Sequence, residues 1–165
     1  GAARNLPAPA GLNDDEMRYL MEEAVWPLIA DFRADALILQ CGVDAVLEDP
    51  LSGLALSNNS HARIAAEARR MAPRLLVSGG GGYNPWSVGR GWARVWGALN
   101  DFEPPDRLPA EAEAVLRGLT WRRRQGRNPP EAWFVTLADP WRGGPIRPEI
   151  RSIAAATRAP TLDAA

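Results

Sequence analysis

The sequence predicts an α/β protein built on a parallel sheet. Two short apolar runs, residues 36–40 and 75–77, have the composition of buried parallel strands. A helical segment that ends near Pro73 separates them, and this strand-helix-strand order is typical of a right-handed parallel crossover. Each run leads into a loop that carries glycine and either an acidic or a phenolic side chain. Ligands of open α/β sheets bind at such strand ends, so we expect the functional site there.

Length and composition favour one ordinary globular domain. The chain has 165 residues, of which 46% are hydrophobic and 24% charged. The formal net charge is -1, and all 19 basic residues are arginine, so no nucleic acid or membrane partner is expected. The single cysteine, Cys41, excludes an internal disulfide and fits a reducing cytoplasm, which is the expected location. No apolar run approaches the roughly 18 residues of a membrane span.

The first predicted helix follows a loop over residues 1–12. Asn13 and Glu16 have the spacing of a capping box, with Asn13 as N-cap. Pro27 lies inside the helix, where the missing N–H predicts a kink. The apolar residues that recur at helical spacing predict one core-facing side: Met17, Leu20, Met21, Ala24, Val25, Leu28, Ile29 and Phe32.

A second helix is predicted between the strands, with Asn58 or Ser60 as its cap. A third begins at Pro85, directly after the glycine run 79–82 and Tyr83. Its two tryptophans, Trp92 and Trp96, share the helical period of the apolar residues around them, so we expect both in the core.

The composition shifts after Asn100 towards proline and scattered aromatic residues. One short helix is predicted over residues 110–119, and the remainder should wrap the main body as irregular chain. The run Arg122-Arg123-Arg124 is interpreted as a solvated face.

Asp44 and Tyr83 are the candidates for chemistry, because each follows the end of a strand. A carboxylate in the position of Asp44 serves as a base, a metal ligand or a structural cap. A hydroxyl in the position of Tyr83 donates to an oxyanion or packs. The four glycines before Tyr83 favour a functional role, since no packing need is evident for them. A nucleotide site is disfavoured, because the run lacks both the Gly-x-Gly-x-x-Gly spacing and a lysine.

These motifs resemble the C-terminal half of the zinc-dependent histone deacetylase family, and especially its bacterial acetoin-utilisation branch. The central strings are Gln40-Cys41-Gly42-Val43-Asp44-Ala45, Asp49-Pro50-Leu51, Gly79-Gly80-Gly81-Gly82-Tyr83-Asn84 and Arg90-Gly91-Trp92. Similar segments near the two ends are Asn5-Leu6-Pro7 and Pro145-Ile146-Arg147-Pro148. The resemblance implies an arginase/deacetylase-like, three-layer parallel sheet with helices on both faces, of which this chain is the C-terminal portion. Residues 1–100 would belong to the catalytic domain, and residues 101–165 would be an extension packed on it.

The resemblance also implies roles for individual residues. Asp44 matches a carboxylate ligand of the catalytic zinc, and Tyr83 matches the tyrosine that donates to the oxyanion of the tetrahedral intermediate. Leu51, Gly81 and Gly82 match the walls of the tunnel that receives the substrate. The implied cofactor is Zn²⁺, with Fe²⁺ as the alternative, which polarises the carbonyl and activates water. The implied substrate is an acetylated lysine side chain or another acyl amine.

Neighbouring polar residues are interpreted structurally. Asp49 is expected to cap or pin its own loop, and Cys41 to be a small buried residue. His61 is the only histidine and matches no catalytic histidine of the family, so we do not expect it to bind metal.

The family's paired histidines and its Asp-x-His ligands lie upstream of the Asn-x-Pro segment, with which this sequence starts. The chain alone is therefore expected to be inactive and to expose a sheet edge. Two functional classes remain open. One is a part of a zinc-dependent deacetylase, and the other is a non-catalytic remnant or interaction module with the same fold.

Overall fold

A computed structural model describes residues 3–159 of the chain. The ends of the predicted segments 1–100 and 101–165, namely residues 1–2 and 160–165, lie outside the described residues. The elements, in chain order, are α1 (Asp14–Leu20), a π-helical turn (Met21–Val25), α2 (Trp26–Phe32), β1 (Leu37–Gln40), α3 (Asn58–Ala68), β2 (Leu75–Ser78), α4 (Pro85–Leu99), α5 (Ala110–Gly118), a 3-10 turn (Arg124–Gly126), α6 (Ala132–Val135) and α7 (Pro148–Arg158).

The two predicted strands form a parallel pair, in which Leu37 lies opposite Leu75 and Gln40 opposite Ser78. The expectation of an α/β fold with parallel strands is therefore confirmed. The face that carries Leu39 and Val77 packs on α3 and α4 through a cluster that includes Cys41, Ala65 and Val95.

No segment within residues 3–159 covers the opposite face of the sheet. Ile38 is 73% exposed and Leu76 is 56% exposed, so the prediction that both strands are fully buried is wrong for this face. The apolar run is nevertheless typical of a strand covered on both sides, because parallel sheets are normally buried.

The cap of the first helix is confirmed. Asn13 accepts a hydrogen bond from the N–H of Glu16 at 3.0 Å, and Glu16 accepts one from the N–H of Asn13 at 3.3 Å. A π-helical turn, Met21–Val25, directly precedes the position at which the sequence predicts a kink, Pro27. This turn places Pro27 at the start of α2, where a missing N–H removes no hydrogen bond within that helix.

The π-helical turn also changes which side chains face the core. Phe32, predicted on the core face, is 81% exposed, whereas Trp26 is 9% exposed and donates its Nε1–H to Glu67 at 2.6 Å. A π-turn holds more residues than an α-turn, so the apolar stripe after it rotates away from the position that an uninterrupted helix predicts.

Helix α3 begins one to three residues earlier than predicted. Ser57, not Asn58 or Ser60, is its N-cap, and its hydroxyl accepts from the N–H of Asn59 at 3.2 Å. The other two side chains serve tertiary contacts: Ser60 donates to Asp14 at 2.6 Å, and Asn58 donates to the carbonyl of Leu137 at 2.9 Å.

The expected core positions of Trp92 and Trp96 are wrong, because their exposed fractions are 42% and 64%. Trp86, in the first turn of the same helix, is buried instead and donates to the carbonyl of Leu116 at 2.8 Å. Its indole ring packs against aromatic side chains of the C-terminal region, which are Trp121, Trp133 and Phe134. Helical periodicity identified the apolar side of α4 but not which part of it has a partner.

The C-terminal region is more regular than predicted. The helix expected over residues 110–119 is present as α5, but the interpretation of the remainder as irregular chain misses α6 and α7. Pro148 occupies the first turn of α7, and Ile150 is fully buried in a cluster with Leu12 and Leu20. Between residues 3 and 159, no helix is both long and apolar enough to cross a membrane.

Candidate functional site

The loops that follow the two strands remain paired beyond the sheet. The N–H of Cys41 donates to the carbonyl of Ser78 at 2.9 Å, and the N–H of Val43 donates to the carbonyl of Gly81 at 2.8 Å. These bonds hold the backbone of the Asp44 loop against the glycine run. The two predicted site segments therefore lie side by side at the carboxyl edge of the sheet.

Asp44 lies directly against Gly81. A Cβ atom built on Gly81 would overlap the Asp44 carboxylate, and one built on Gly42 would come within 2.9 Å of its Oδ1 atom. Among residues 3–159, the carboxylate of Asp44 has no hydrogen-bond donor and no ion-pair partner. A partly buried carboxylate without an internal partner is available to a cation or to a proton donor from outside this part of the chain.

The glycine run has a packing role that the sequence did not reveal. A Cβ on Gly80 would overlap the side chain of Gln40, in the same way as one on Gly81 would overlap Asp44. Gly82 has a φ of +149°, a conformation that side-chain-bearing residues rarely adopt, and it passes closely between Val43 and Val88. The expectation that no packing need explains the glycines is therefore wrong for these positions.

Asp49 joins the loop that carries Leu51 to the loop that carries Tyr83. Its Oδ1 accepts from the N–H of Leu51 at 2.9 Å, as the predicted loop-pinning role requires. Its Oδ2 accepts from the N–H of Tyr83 at 2.6 Å, a contact that the sequence did not predict. Asp49 is 5% exposed, whereas the side chains of Leu51 and Tyr83 are 62% and 49% exposed. A buried carboxylate thus positions the backbones of two exposed candidate site residues.

Asn84 forms further hydrogen bonds between the same loops. It is fully buried, and its Oδ1 caps α4 by accepting from the N–H groups of Trp86 at 3.0 Å and Ser87 at 3.4 Å. Its Nδ2 donates to the carbonyl of Glu48 at 3.1 Å. The position of an asparagine directly before Pro85 was the available signal for this cap.

His61 and Cys41 are buried below the site. The Nδ1 atom of His61 lies 3.3 Å from the carbonyl oxygen of Ser57, and burial lowers the pKa of this imidazole, which favours its neutral form. Cys41 is 7% exposed, as expected for a small buried residue, and burial raises the pKa of its thiol.

The described part of the chain does not form a metal site by itself. Between residues 3 and 159, no group of three or more His, Cys, Asp or Glu side chains is arranged to hold a metal ion. Catalytic zinc usually has three protein ligands, whereas Asp44 is the one candidate ligand at this site among the described residues.

The C-terminal region is attached to α3 and α4 by buried polar contacts. Arg90 forms an ion pair with Asp139 at 2.8 Å, with side chains that are 2% and 7% exposed. Asp139 and Asn58 exchange two hydrogen bonds, each 3.0 Å long, through their side chains and backbone N–H groups. Arg90 also donates to the carbonyl of Thr136 at 2.6 Å. These contacts fix the first half of α4, which follows Tyr83, to the C-terminal region.

Comparison with known proteins agrees with this architecture. The sequence profile of the histone deacetylase domain matches residues 1–99. The acetoin utilization protein AcuC of Bacillus subtilis is 30% identical over 156 residues, which cover 91% of this chain and 39% of AcuC. A putative histone deacetylase 2 of Caenorhabditis elegans is 36% identical over 107 residues, which cover 65% of this chain and 21% of that protein.

Solved structures show the same relationship. The crystal structure of a histone deacetylase homologue from Aquifex aeolicus superposes with a TM-score of 0.82 at 31% identity, covering 94% of this chain and 42% of that one. The chain thus spans less than half the length of each of these relatives. Together, the match to the domain profile and the shared fold show that this chain belongs to the histone deacetylase family.

Proposed function

We propose that this chain contributes the carboxylate and the tyrosine of a zinc-dependent deacetylase centre. The observation that carries the proposal is the arrangement at the carboxyl edge of the sheet. There, the Asp44 carboxylate lies against the glycine run without a hydrogen-bond or ion-pair partner among residues 3–159, and Asp49 accepts a hydrogen bond from the N–H of Tyr83 at the end of that run. Family membership supports a deacetylase rather than another use of this edge.

Tyr83 is the proposed catalytic residue. Its phenol is about half exposed, while its backbone is anchored to a buried carboxylate. The O–H group of a tyrosine whose backbone is anchored in this way can donate to the oxygen of an acyl carbonyl as negative charge develops on that oxygen. Loss of one oxyanion donor typically lowers kcat about 10²- to 10³-fold.

Asp44 is the proposed metal ligand, but this chain cannot hold Zn²⁺ or Fe²⁺ with Asp44 alone. We therefore assign the remaining ligands and the general base to a segment outside the described residues.

The proposed substrate is an acetylated lysine or a related acyl amine. Leu51 is 62% exposed, and its backbone and that of Tyr83 bind the same carboxylate, so we expect Leu51 to contact the aliphatic stem of such a substrate. Gly81 and Gly82 connect the backbone beside the Asp44 carboxylate to Tyr83. These three residues are the proposed substrate-binding positions.

A second candidate is a non-catalytic module that retains the deacetylase fold. The observation that favours it is the absence of a three-ligand metal cluster within residues 3–159. The two candidates differ in whether this chain supports turnover once the rest of a deacetylase domain is supplied.

The test is a chimera in which this chain replaces the matching part of AcuC. We expect the chimera to bind one zinc ion and to hydrolyse an acetyl-lysine peptide. Tyr83→Phe should retain zinc and lose kcat about 10²- to 10³-fold, whereas Asp44→Asn should lose zinc. As a control, Tyr19→Phe removes the other tyrosine hydroxyl, on α1, and should leave both quantities unchanged. A folded chimera that binds zinc but shows no effect of Tyr83→Phe would contradict the catalytic assignment. A folded chimera without turnover would favour the non-catalytic module.

A further inference from the structure

The loop after β1 that carries Leu51 is closed at its base. The N–H of Leu47 donates to the carbonyl of Leu56 at 3.0 Å, and Val46 pairs with Leu56 in an isolated parallel bridge. We call residues 47–56 the Leu51 loop. Its base is buried at Val46 and Leu56, whereas the side chain of Leu51 is exposed. The position of the base therefore determines where Leu51 lies.

Arg142, in the C-terminal region, binds both ends of this loop. Its Nη1 donates to the carbonyl of Leu56 at 2.5 Å, and its Nη2 donates to the carboxylate of Glu48 in an ion pair. The two side chains of this pair are 19% and 16% exposed, so the contact is largely shielded from water. The planar fork of a guanidinium can serve two acceptors at once, which a lysine cannot do in the same geometry.

The backbone of Arg142 is itself fixed. Its N–H donates to Oδ2 of Asp14 at 2.7 Å, and its carbonyl accepts from the N–H of Asp14 at 3.0 Å. Asp14 is fully buried, and its Oδ1 accepts from the N–H of Ser57 and the hydroxyl of Ser60. The guanidinium therefore extends from an ordered segment, which lowers the entropy cost of holding the loop.

Glu48 connects Arg142 to the residues around Tyr83. Its Oε2 is buried and has no hydrogen-bond partner within residues 3–159, so the carboxylate relies on Arg142 for charge compensation there. Its carbonyl accepts from Nδ2 of Asn84, the residue after Tyr83. Asp49, which follows Glu48 in the chain, accepts from the N–H of Tyr83. A displacement of Glu48 would therefore be felt where the Leu51 loop meets the Tyr83 loop.

We propose that Arg142 is a positioning residue for substrate binding, because it fixes the base of the Leu51 loop and so sets where Leu51 meets the substrate. The proposal rests on the proposed function in that Leu51 is a proposed contact of the acyl-lysine stem. It assigns a part in substrate binding to the region after residue 99, where the match to the domain profile ends. The fold shared with the Aquifex aeolicus homologue covers 94% of the chain and so extends beyond that match.

Asp44 is held independently of Arg142. The N–H of Val43, beside Asp44, donates to the carbonyl of Gly81 at 2.8 Å, and this bond does not involve the Leu51 loop. Loss of Arg142 should therefore move Leu51 and leave the proposed metal ligand in place. The expected signature is a higher KM at unchanged zinc content, with a smaller effect on kcat, as when an interaction shared by the ground and transition states is lost.

The test uses the AcuC chimera with an acetyl-lysine peptide. Arg142→Met should raise KM and the peptide Kd about tenfold, which corresponds to the loss of a hydrogen bond to a charged group. Arg142→Lys keeps the charge without the fork, so its KM should lie between those of wild type and Arg142→Met. Hydrogen exchange of the amides of residues 47–56 should become faster in Arg142→Met. Arg158→Met is the matched control, because it removes an arginine of the same region whose contact with Asp31 is exposed.

A double variant separates positioning from general destabilisation. Arg142→Met leaves the Glu48 carboxylate uncompensated, and adding Glu48→Gln removes that charge. We expect the double variant to regain stability in urea denaturation and to keep the raised KM, because the Leu51 loop still lacks Arg142. A return of KM to the wild-type value in the double variant would overturn the proposal, since the effect would then come from the charge alone.

The proposal is also overturned if both Arg142→Lys and Arg142→Met bind and turn over the peptide as wild type does, or if loop exchange rises without any change in KM or Kd. If Arg142→Met does not fold, a wild-type KM in folded Arg142→Lys overturns it in the same way. A chimera without turnover, whose peptide Kd still depends on Arg142, would contradict the proposed function and support the role of Arg142 in binding.

Discussion

The carboxylate of Asp49 accepts two hydrogen bonds, one with each oxygen. The donors are the N–H of Tyr83 at 2.6 Å and the N–H of Leu51 at 2.9 Å. The bond to Tyr83 spans 34 positions of sequence and joins the loops after both strands. Asp49 thereby acts as a positioning residue: it is buried, and the two side chains that it places are exposed.

The first prediction concerns Asp49→Asn. An amide has one accepting oxygen, so one of the two backbone N–H groups loses its acceptor. That N–H then faces the NH₂ group of the asparagine instead. We expect the unfolding free energy to fall by about 1–3 kcal/mol, the typical cost of an unsatisfied buried group. In the AcuC chimera, kcat should fall while zinc content is unchanged, because Tyr83 moves but Asp44 does not. Urea denaturation, kinetics and metal analysis measure these effects. Asp35→Asn, at an exposed position, is the control, and equal stability of the two variants would contradict the prediction.

The second prediction concerns Gly81→Ala. The added methyl group would overlap the Asp44 carboxylate, so the carboxylate must move. We expect the chimera to lose zinc affinity. Gly89→Ala is the matched control, since a Cβ there meets no atom within 4 Å and lies in α4. That control should keep zinc and gain up to about 1 kcal/mol of stability from higher helix propensity. Isothermal titration with zinc distinguishes the variants, and normal affinity in Gly81→Ala would show that Asp44 is not confined by the glycine.

The third prediction concerns the buried ion pair of Arg90 and Asp139. Removing one partner leaves an uncompensated buried charge, so Arg90→Ala should destabilise the chain by about 3–5 kcal/mol. Arg69→Ala breaks an exposed pair with Asp101 and should cost less than about 1 kcal/mol. Guanidinium denaturation compares the two variants. A similar small loss in both would mean that the Arg90 pair does not hold the C-terminal region.

The fourth prediction concerns stability in acid. Hydrogen bonds from the Arg147 side chain, together with backbone N–H groups of Arg147 and Asn13, lower the pKa of Glu16 below its ordinary value of 4.5. A carboxyl with a lowered pKa in the folded state contributes stability that is fully present well above pH 4.5. This contribution is lost as the pH falls below that value and through the folded-state pKa.

Urea denaturation from pH 7 to pH 3 measures this dependence. We expect Glu16→Gln to be less stable than wild type at pH 7 and to lose less stability on acidification, because it has no proton to bind at this site. Glu111→Gln is the control, since Glu111 is exposed at the start of α5. A stability difference between wild type and Glu16→Gln that does not change with pH would contradict the assignment.

Local signals in the sequence determined the two strands, the capping box of Asn13 and Glu16, and the placement of the Asp44 and Tyr83 loops at one edge. Each depends on residues close in sequence, such as an apolar run, a cap spacing or a glycine loop after a strand. The motifs also identified the histone deacetylase family, which the domain comparison bears out.

Only the tertiary structure decided which apolar surfaces have partners and which glycines make room for side chains. Trp86 is buried and Trp96 is exposed, although both lie on the same helix. The aromatic residues that cover Trp86 lie far along the chain, so the local sequence does not distinguish the two tryptophans. The bond from Tyr83 to Asp49 likewise depends on how two distant loops meet. Helical periodicity and residue type describe what a segment can bury, whereas the geometry of its neighbours decides what it does bury.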